Sequence, residues 1–520
     1  LLDNLVNKFK IFVFLRLYQR KIMKKIKYIV GLFMLAGIIS CSKDFIELDP
    51  KGTVLENSFY KTEAELFQGL VAAYDPLGFA TNFTMKMGLL NAASDDTHAG
   101  GSDASDQPSW VAYDKFTLDP NLGPQAGLWS KNYTGIYRAN LVLEKAEGNV
   151  TGLTADKKAR YIAEAKFLRA YYYFDLVRWF GNVPLITKTP GADEIYKQTQ
   201  ATPAAVYAQI EKDLKDAVAT AQLPETLPVD ELGRITKGAA KALLGKAILF
   251  QNNASRMGEA ATLFEEVILS NNYALERVYA DIFKPENKFG KESIFEIYHS
   301  GNRKGDWGMG IDGNEGNKDV QFCGMRDFVG STYATGWSFC PVSLDLVNAL
   351  RGDPRFAATI VDGNALKAQG ASYTAGYQNT DYFINKYAPL SAFRATSGEP
   401  ALNWGYNLKE IRLSDVLLMA AECFNRSGND QKAQTYLNRV RSRVALAAKT
   451  TTGTALLDDI YTERRLELAT EGHRFWDLVR TNKAATVLAA QGFKANKHEV
   501  LPIPQSEIDI MQGQFKQNNY

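Results

Sequence analysis

The chain has 520 residues, 46% of them hydrophobic, enough to bury a large core as one big domain or as two or three smaller ones. Sixty basic side chains stand against 58 acidic ones, and a net charge of +2 supplies no field that would draw nucleic acid or a polyacidic partner. The 25 Tyr and 28 Phe residues fit a packed helical core and a surface that stacks flat ligands equally well.

Residues 1–22 precede a Met that opens a more recognisable segment, so Met23 is read as the start and 1–22 as an upstream extension that is not native. Lys24, Lys25 and Lys27, an apolar run over 28–39, then Ser40 and Cys41 make the layout of a secretory signal peptide at 23–40. That run is too short to span a bilayer. A small residue directly before Cys41 resembles a bacterial lipoprotein cleavage site, making Cys41 the lipidation position; the rival is an ordinary cleaved signal with a chance cysteine. Several acyl chains, at about 0.8 kcal/mol per buried methylene, would make the anchor effectively permanent. Residues 42–52 then read as a tether. Cys323, Cys340 and Cys423 remain, an odd number, so at least one thiol is free. Cys423 falls on an apolar helix face, while Cys323 and Cys340 are open to pairing across a loop or to staying reduced.

The mature body, 41–520, reads as mainly helical, with helical segments at about 57–77, 128–275 and 409–481 and irregular ones at about 78–127 and 278–408. NSFYKTEAELFQGLVAAYDPL has an acidic first turn and stops near Pro76; WSKNYTGIYRANLVLEKAEGN ends at Gly148–Asn149, suited to a left-handed cap. Between them, 78–127 is rich in Gly, Asp, Ser and Asn and reads as an extended loop region of the kind that carries function. A helix over 156–180 breaks at Gly181, and Thr202–Pro203 gives an N-cap and first-turn proline for the next, which should pack antiparallel to it. ITKGAAKALLGKAILFQN with GEAATLFEEVILSNNYAL, and IRLSDVLLMAAECFNRSGND with QKAQTYLNRVRSRVAL, have the spacing of tetratricopeptide-type helix pairs. About four pairs can be counted, and stacking them would bury a core that no single pair could. From 278 to 408 the helical signal weakens, with short β-like pieces such as SIFEIYH at 293–299, as in an insertion mounted on the scaffold.

Residues 459–480, DIYTERRLELATEGHRFWDLVR, place Ile460, Glu463, Glu467 and Glu471 on one side of a helical wheel, with Arg464, Arg474 and Arg480 within a turn of a carboxylate. Phe475, Trp476, Leu478 and Val479 among these charges imply that some ion pairs are partly buried. A carboxylate array for acid/base work is the rival reading, but nearby Arg lowers a Glu pKa where a general acid needs it raised. The charges therefore read as a clamp between helices.

The run ERRLELATEGHRFWDLVR resembles the C-terminal signature of the SusD/RagB family of nutrient-binding lipoproteins. RYIAEAKFLRAYYYFDLVRWFGNVPL (160–185), IRLSDVLLMAAECFNRSG (411–428) with LNRVRSR (437–443), and LPIP (501–504) agree with it in order. The resemblance spans most of the mature chain and implies a SusD-like fold with minor β structure. It also implies a non-enzymatic, outer-membrane, cell-surface binder of glycan or oligosaccharide, lipid-anchored, that acts as a lid on a SusC-type TonB-dependent transporter. No cofactor is expected.

Gly308, Gly310 and Gly313 spell GMGIDG, the letters of a dinucleotide fingerprint, but GNEGNKD follows where a helix must begin. Gly245–Lys246 lacks a P-loop's first Gly and its Ser or Thr. DGNEGNKDV at 312–320 only faintly matches a calcium loop, since Gly316 and Asn317 replace a ligand and the turn Gly. The four His residues lie at no metal spacing, and no GxSxG elbow occurs.

Candidate ligand-binding residues are therefore Asp95, Asp96 and Trp110 in the first irregular region and Trp307, Tyr333 and Trp337 in the second, with Trp404 a weaker addition. A sugar offers flat C–H faces and polar edges, and needs an aromatic platform with amide or carboxylate partners. Against this, each Trp taken alone reads better as a plug that seats a loop, and only two or three of the group are expected to face ligand. The same architecture binding peptides, a lipid-anchored glycoside hydrolase, and a scaffold that binds only proteins are the alternatives. The hydrolase would need two carboxylates across a cleft, and adjacent Asp95 and Asp96 are poorly placed for that.

Overall fold

Thr62 accepts the Glu65 N–H at 3.3 Å while the Glu65 carboxylate takes the Thr62 N–H at 2.9 Å, a reciprocal cap that starts α1 (Glu63–Tyr74). The computed structural model describes residues 59–302 and 304–520; the expected leader, Cys41 and the tether lie outside them. Among the described residues no helix is long and apolar enough to cross a membrane. Eight further helices of twelve or more residues follow: α2 (Gln125–Ala146), α3 (Ala155–Phe180), α4 (Pro203–Ala219), α5 (Lys237–Phe250), α6 (Met257–Leu269), α7 (Leu413–Arg426), α8 (Asp430–Arg443) and α9 (Gly453–Glu467).

Each of α2 to α8 packs on the helix before it, an arrangement compatible with four stacked pairs. The Thr202 hydroxyl accepts the Ala205 N–H ahead of Pro203, and Gly181 closes α3 at φ +69°, as expected. The end of α2 differs. Glu147 stays right-handed, its N–H bonds back to the Glu144 carbonyl and the Gly148 N–H to that of Lys145, so a tightened last turn replaces the left-handed cap. Gly245 sits where α5 crosses α6, and a Cβ there would meet the Phe264 ring at 2.7 Å; Lys246 pairs with Asp415 at 3.0 Å. The residues that failed as a P-loop are a close helix crossing and a buried ion pair.

Between α6 and α7 the chain leaves the stack for more than a hundred residues, and α7 returns to pack on α6. The base of this excursion is stitched by β3 (Ser293–Ile297) against β6 (Leu408–Arg412), antiparallel with a register shift near Phe295. Two smaller antiparallel pairs complete the β structure: β1 (Val183–Pro184) with β2 (Gln200–Ala201), and β4 (Ile360–Asp362) with β5 (Tyr382–Ile384).

Two expectations are corrected. Residues 78–127 are not irregular throughout: they contain the helices Lys86–Ala92, buried along its whole length, and Pro108–Asp114. A helix enclosed on every side has no polar face, so no amphipathic period betrays it. Residues 459–480 are not one helix. α9 ends at Glu467, Thr470 and Gly472 turn left-handed at φ +66° and +78°, and a second helix runs Arg474–Arg480.

The clamp is present: Arg480 pairs with Asp477 one turn away at 2.8 Å, as expected, but the partners of the glutamates come from elsewhere in the chain. Glu463 accepts from Arg355 at 2.6 Å and Arg441 at 2.5 Å; Glu467 accepts from Arg355, Arg412 and Arg443; Glu471 accepts from Arg412 at 2.8 Å and Lys386 at 2.7 Å. Burial pushes the Glu467 carboxyl up, and Arg443, Arg412 and Arg355 reverse this and hold it well below the usual range. Carboxylates so paired and so buried do not face an open pocket.

Candidate functional site

The short helix Lys318–Cys323 is the floor on which the site is built. The chain from 336 to 339 returns along it in an extended path: Gly336, Trp337, Ser338 and Phe339 donate backbone N–H groups to Met325, Gln321, Gly324 and Phe322 at 2.7–2.9 Å. The approach is close enough that a Cβ on Gly336 would fall 2.3 Å from the Gly324 Cα. Ser338 is left-handed at φ +57°, which sets the turn between Trp337 and Phe339.

Six aromatic side chains stack on this floor. Phe339 lies on Phe322 at 4.5 Å, and Trp110 lies beside both at 6.0 and 5.2 Å. Phe322 carries Trp337 at 5.3 Å and Phe83 at 5.5 Å. On top, Trp307 and Trp337 are 15° from parallel with centroids 6.3 Å apart, and Phe83 meets both edge-on at 6.5 and 6.3 Å. Trp307 is 50% exposed and Trp337 half-buried, so the upper layer presents aromatic surface to solvent. Asn82 and Phe83 are consecutive left-handed residues at φ +52° and +58°. Such strain persists only where the surroundings hold it, and it gathers at binding sites.

Polar groups flank the layer. Arg326 donates to the Trp337 carbonyl at 3.2 Å and to Asp106 at 2.9 Å, while Asp106 also accepts from the Ser102 N–H and hydroxyl. On the other side the exposed Asp306 caps the turn Trp307–Met309. Among the described residues no group of three or more His, Cys, Asp or Glu is placed to hold a metal.

Of the expected site residues, Trp307 and Trp337 come together at the surface. Trp110 is fully buried, and its indole N–H donates to the Phe83 carbonyl at 3.0 Å; it supports the layer from below and cannot touch a ligand. Trp404 is equally buried and donates to Gln321 Oε1 at 3.0 Å, bracing the residue whose carbonyl receives Trp337. Tyr333 belongs to a satellite cluster with Phe328, its hydroxyl on Asn385 at 3.1 Å.

Asp95 and Asp96 are corrected most clearly. Arg474 grips Asp95 through two bonds of 2.8 Å, and Arg465 holds Asp96 at 2.8 Å and Asp95 at 3.1 Å. Burial pushes the Asp95 carboxyl up and the two guanidinium groups bring it below the usual range; in Asp96 burial wins and the pKa is raised. These two carboxylates extend the C-terminal clamp. Phe83, Phe322 and Phe339, which sequence reasoning missed, are the residues that complete the stack, and nothing in their local sequence distinguishes them from ordinary core.

A cavity of about 700 Å3 lies nearby, lined by α1, the end of β3 and Asp312, Asn314 and Glu315, with half-exposed Tyr298 in its wall. It includes neither indole. Phe79 and Asp312 in its wall are close in sequence to Phe83 and Trp307.

The SusD family profile matches residues 291–520, and a profile described as starch-binding and associating with the outer membrane matches 44–249. A solved laminarin binding SusD-like protein is 42% identical, with 88% of this chain and all of that chain covered and a TM-score of 0.82. Surface glycan-binding protein A from Bacteroides thetaiotaomicron, solved in complex with laminarihexaose, is 31% identical over 88% of this chain and all of that chain, with a TM-score of 0.81. SusD-like protein P25 of Formosa agariphila is 26% identical, covering 94% of this chain and 97% of its own.

Proposed function

We propose that this chain, which belongs to the SusD family, is a non-catalytic cell-surface protein that captures oligosaccharide of the laminarin class on the Trp307–Trp337 pair. The observation that carries this reading is the near-parallel indole pair, exposed on top and braced from beneath by Phe322 and Trp110. Two indoles 6.3 Å apart offer successive sugar rings a rigid apolar face, and rigidity lowers the ordering cost of binding. Relatives that bind laminarin or laminarihexaose support that ligand class.

The carboxylates near the pair are engaged in structure: Asp306 in a turn, Asp106 on Arg326. A glycosidase needs two free carboxyl groups across its bond, so capture without cleavage fits better. Captured glycan would pass to a TonB-dependent outer-membrane transporter beneath, with the protein held at the outer membrane by lipid on Cys41. Calorimetric titration with laminarihexaose, a peptide mixture as control and product analysis after long incubation tests the reading. Saturable binding of intact hexasaccharide supports it; peptide binding alone, or hydrolysis, overturns it.

A further inference from the structure

We infer that Asp312 is a positioning residue for the indole pair, an inference that rests on the reading of Trp307 and Trp337 as the glycan platform. Its Oδ1 accepts the Ala80 N–H at 2.8 Å and its Oδ2 accepts the Thr81 hydroxyl at 2.6 Å. Thr81 opens the three-residue turn that carries left-handed Asn82 and Phe83, and Phe83 packs edge-on against both indoles. Left-handed non-glycine residues need outside support, and here it comes from two directions. Trp110 holds the Phe83 carbonyl from below, and Asp312 holds Ala80 and Thr81 from the side.

Asp312 also belongs to the loop that bears Trp307. That loop contains Gly308, Gly310 and Gly313, and Gly310 sits at φ +70° with nothing within 4 Å of a Cβ there. Asp306 and Asn314 tie the loop to itself: Asp306 receives the Gly308 and Met309 N–H groups, and Asn314 donates to the Asp306 and Gly310 carbonyls. Asp312 ties it across to the segment bearing Phe83. One carboxylate thus sets the distance between the two chain segments that frame Trp307. The same residue opens the calcium-like run DGNEGNKDV, but its two oxygens are taken by protein donors and serve as a strap.

The test is calorimetric titration of laminarihexaose into the full chain as wild type, Asp312→Ala, Asp312→Asn, Trp307→Ala and the double variant Asp312→Ala/Trp307→Ala, with thermal unfolding of each. Asp312→Ala weakens binding about tenfold or more, and Asp312→Asn weakens it only about threefold because its amide oxygen still accepts the Ala80 N–H. The double variant binds no more weakly than Trp307→Ala, since both changes disable one unit. Wild-type affinity in Asp312→Ala, equal damage by Asn and Ala, or additive losses overturn the inference. Should Asp312→Ala fail to fold, Thr81→Val removes the hydroxyl bond alone and must reduce affinity in its place. If Trp307→Ala itself binds normally, the platform reading falls; if it weakens binding and Asp312→Ala does not, only the role of Asp312 falls.

Discussion

The Arg412 guanidinium donates to Glu467 at 2.6 Å with neither side chain reaching solvent, and the same carboxylate accepts from Arg355 and Arg443. Through Arg412 this one Glu ties α9 to the end of β6; through Arg443 it ties α9 to α8. The excursion that bears the indole pair is thereby locked to the helix stack at its return point.

Removing one member of such a cluster leaves charge buried without its counter-charge, at a cost of about 3–5 kcal/mol. Glu467→Gln is expected to lower stability by that order in urea unfolding, with unchanged laminarihexaose affinity in the fraction that folds. A near-neutral result would mean that water reaches the cluster.

The indoles divide by depth. Trp307→Ala and Trp337→Ala should each weaken glycan binding about tenfold, or about 1.4 kcal/mol, with little change in stability. Trp110→Ala should instead lose about 3–5 kcal/mol of stability, because a large, fully buried side chain is deleted from the base of the stack. Titration and chemical unfolding of the three variants separate the two effects.

Asp319, in the floor helix, is fully buried and accepts the Gly88 N–H at 3.0 Å; burial raises its pKa to about 7 from 3.8. The protonated form is thus favoured in the folded state, so its contribution to stability is lost as pH rises from about 4 to about 7. Lys131 and Lys318 close by are depressed by burial to about 8 from 10.5, and their contribution runs the other way, with stability gained as pH rises from 8 to 10.5. Asp319→Asn should flatten the lower window only. Unfolding free energies measured from pH 4 to 8 for both proteins check this, and identical profiles would remove Asp319 as the cause.

Gly336→Ala forces a Cβ to 2.3 Å from the Gly324 Cα, and overpacking of that kind costs about 1–3 kcal/mol. Because Trp337 is the next residue, the variant is expected to lose glycan affinity as well as stability. Exposed Gly370, with no atom near its Cβ position, is unsuited as a control because its φ is +91°; Gly258→Ala, with open space and helical φ, should leave affinity unchanged and not lower stability.

Much of the scaffold was legible in the chain because helix periodicity, Thr and Pro caps and small-residue spacing are local signals: Thr202–Pro203 and Gly181 fall where expected. The buried helix Lys86–Ala92 was not legible, since an element enclosed on all sides loses the polar face that marks it. At the site, the type of residue could be read and its depth could not. Trp110, Trp307 and Trp337 look alike in sequence, yet one is sealed beneath Phe83 and two reach solvent.

The sequence by itself determined that glutamates near the carboxyl end would be paired with arginines, because charges among so many bulky residues must find partners. Only the tertiary structure decided which ones: Arg355, Arg412 and Arg443 for Glu467, and Arg465 and Arg474 for Asp95. Pairing is demanded by desolvation, which depends on composition, whereas the identity of the partner depends on which distant segments the fold brings within about 3 Å.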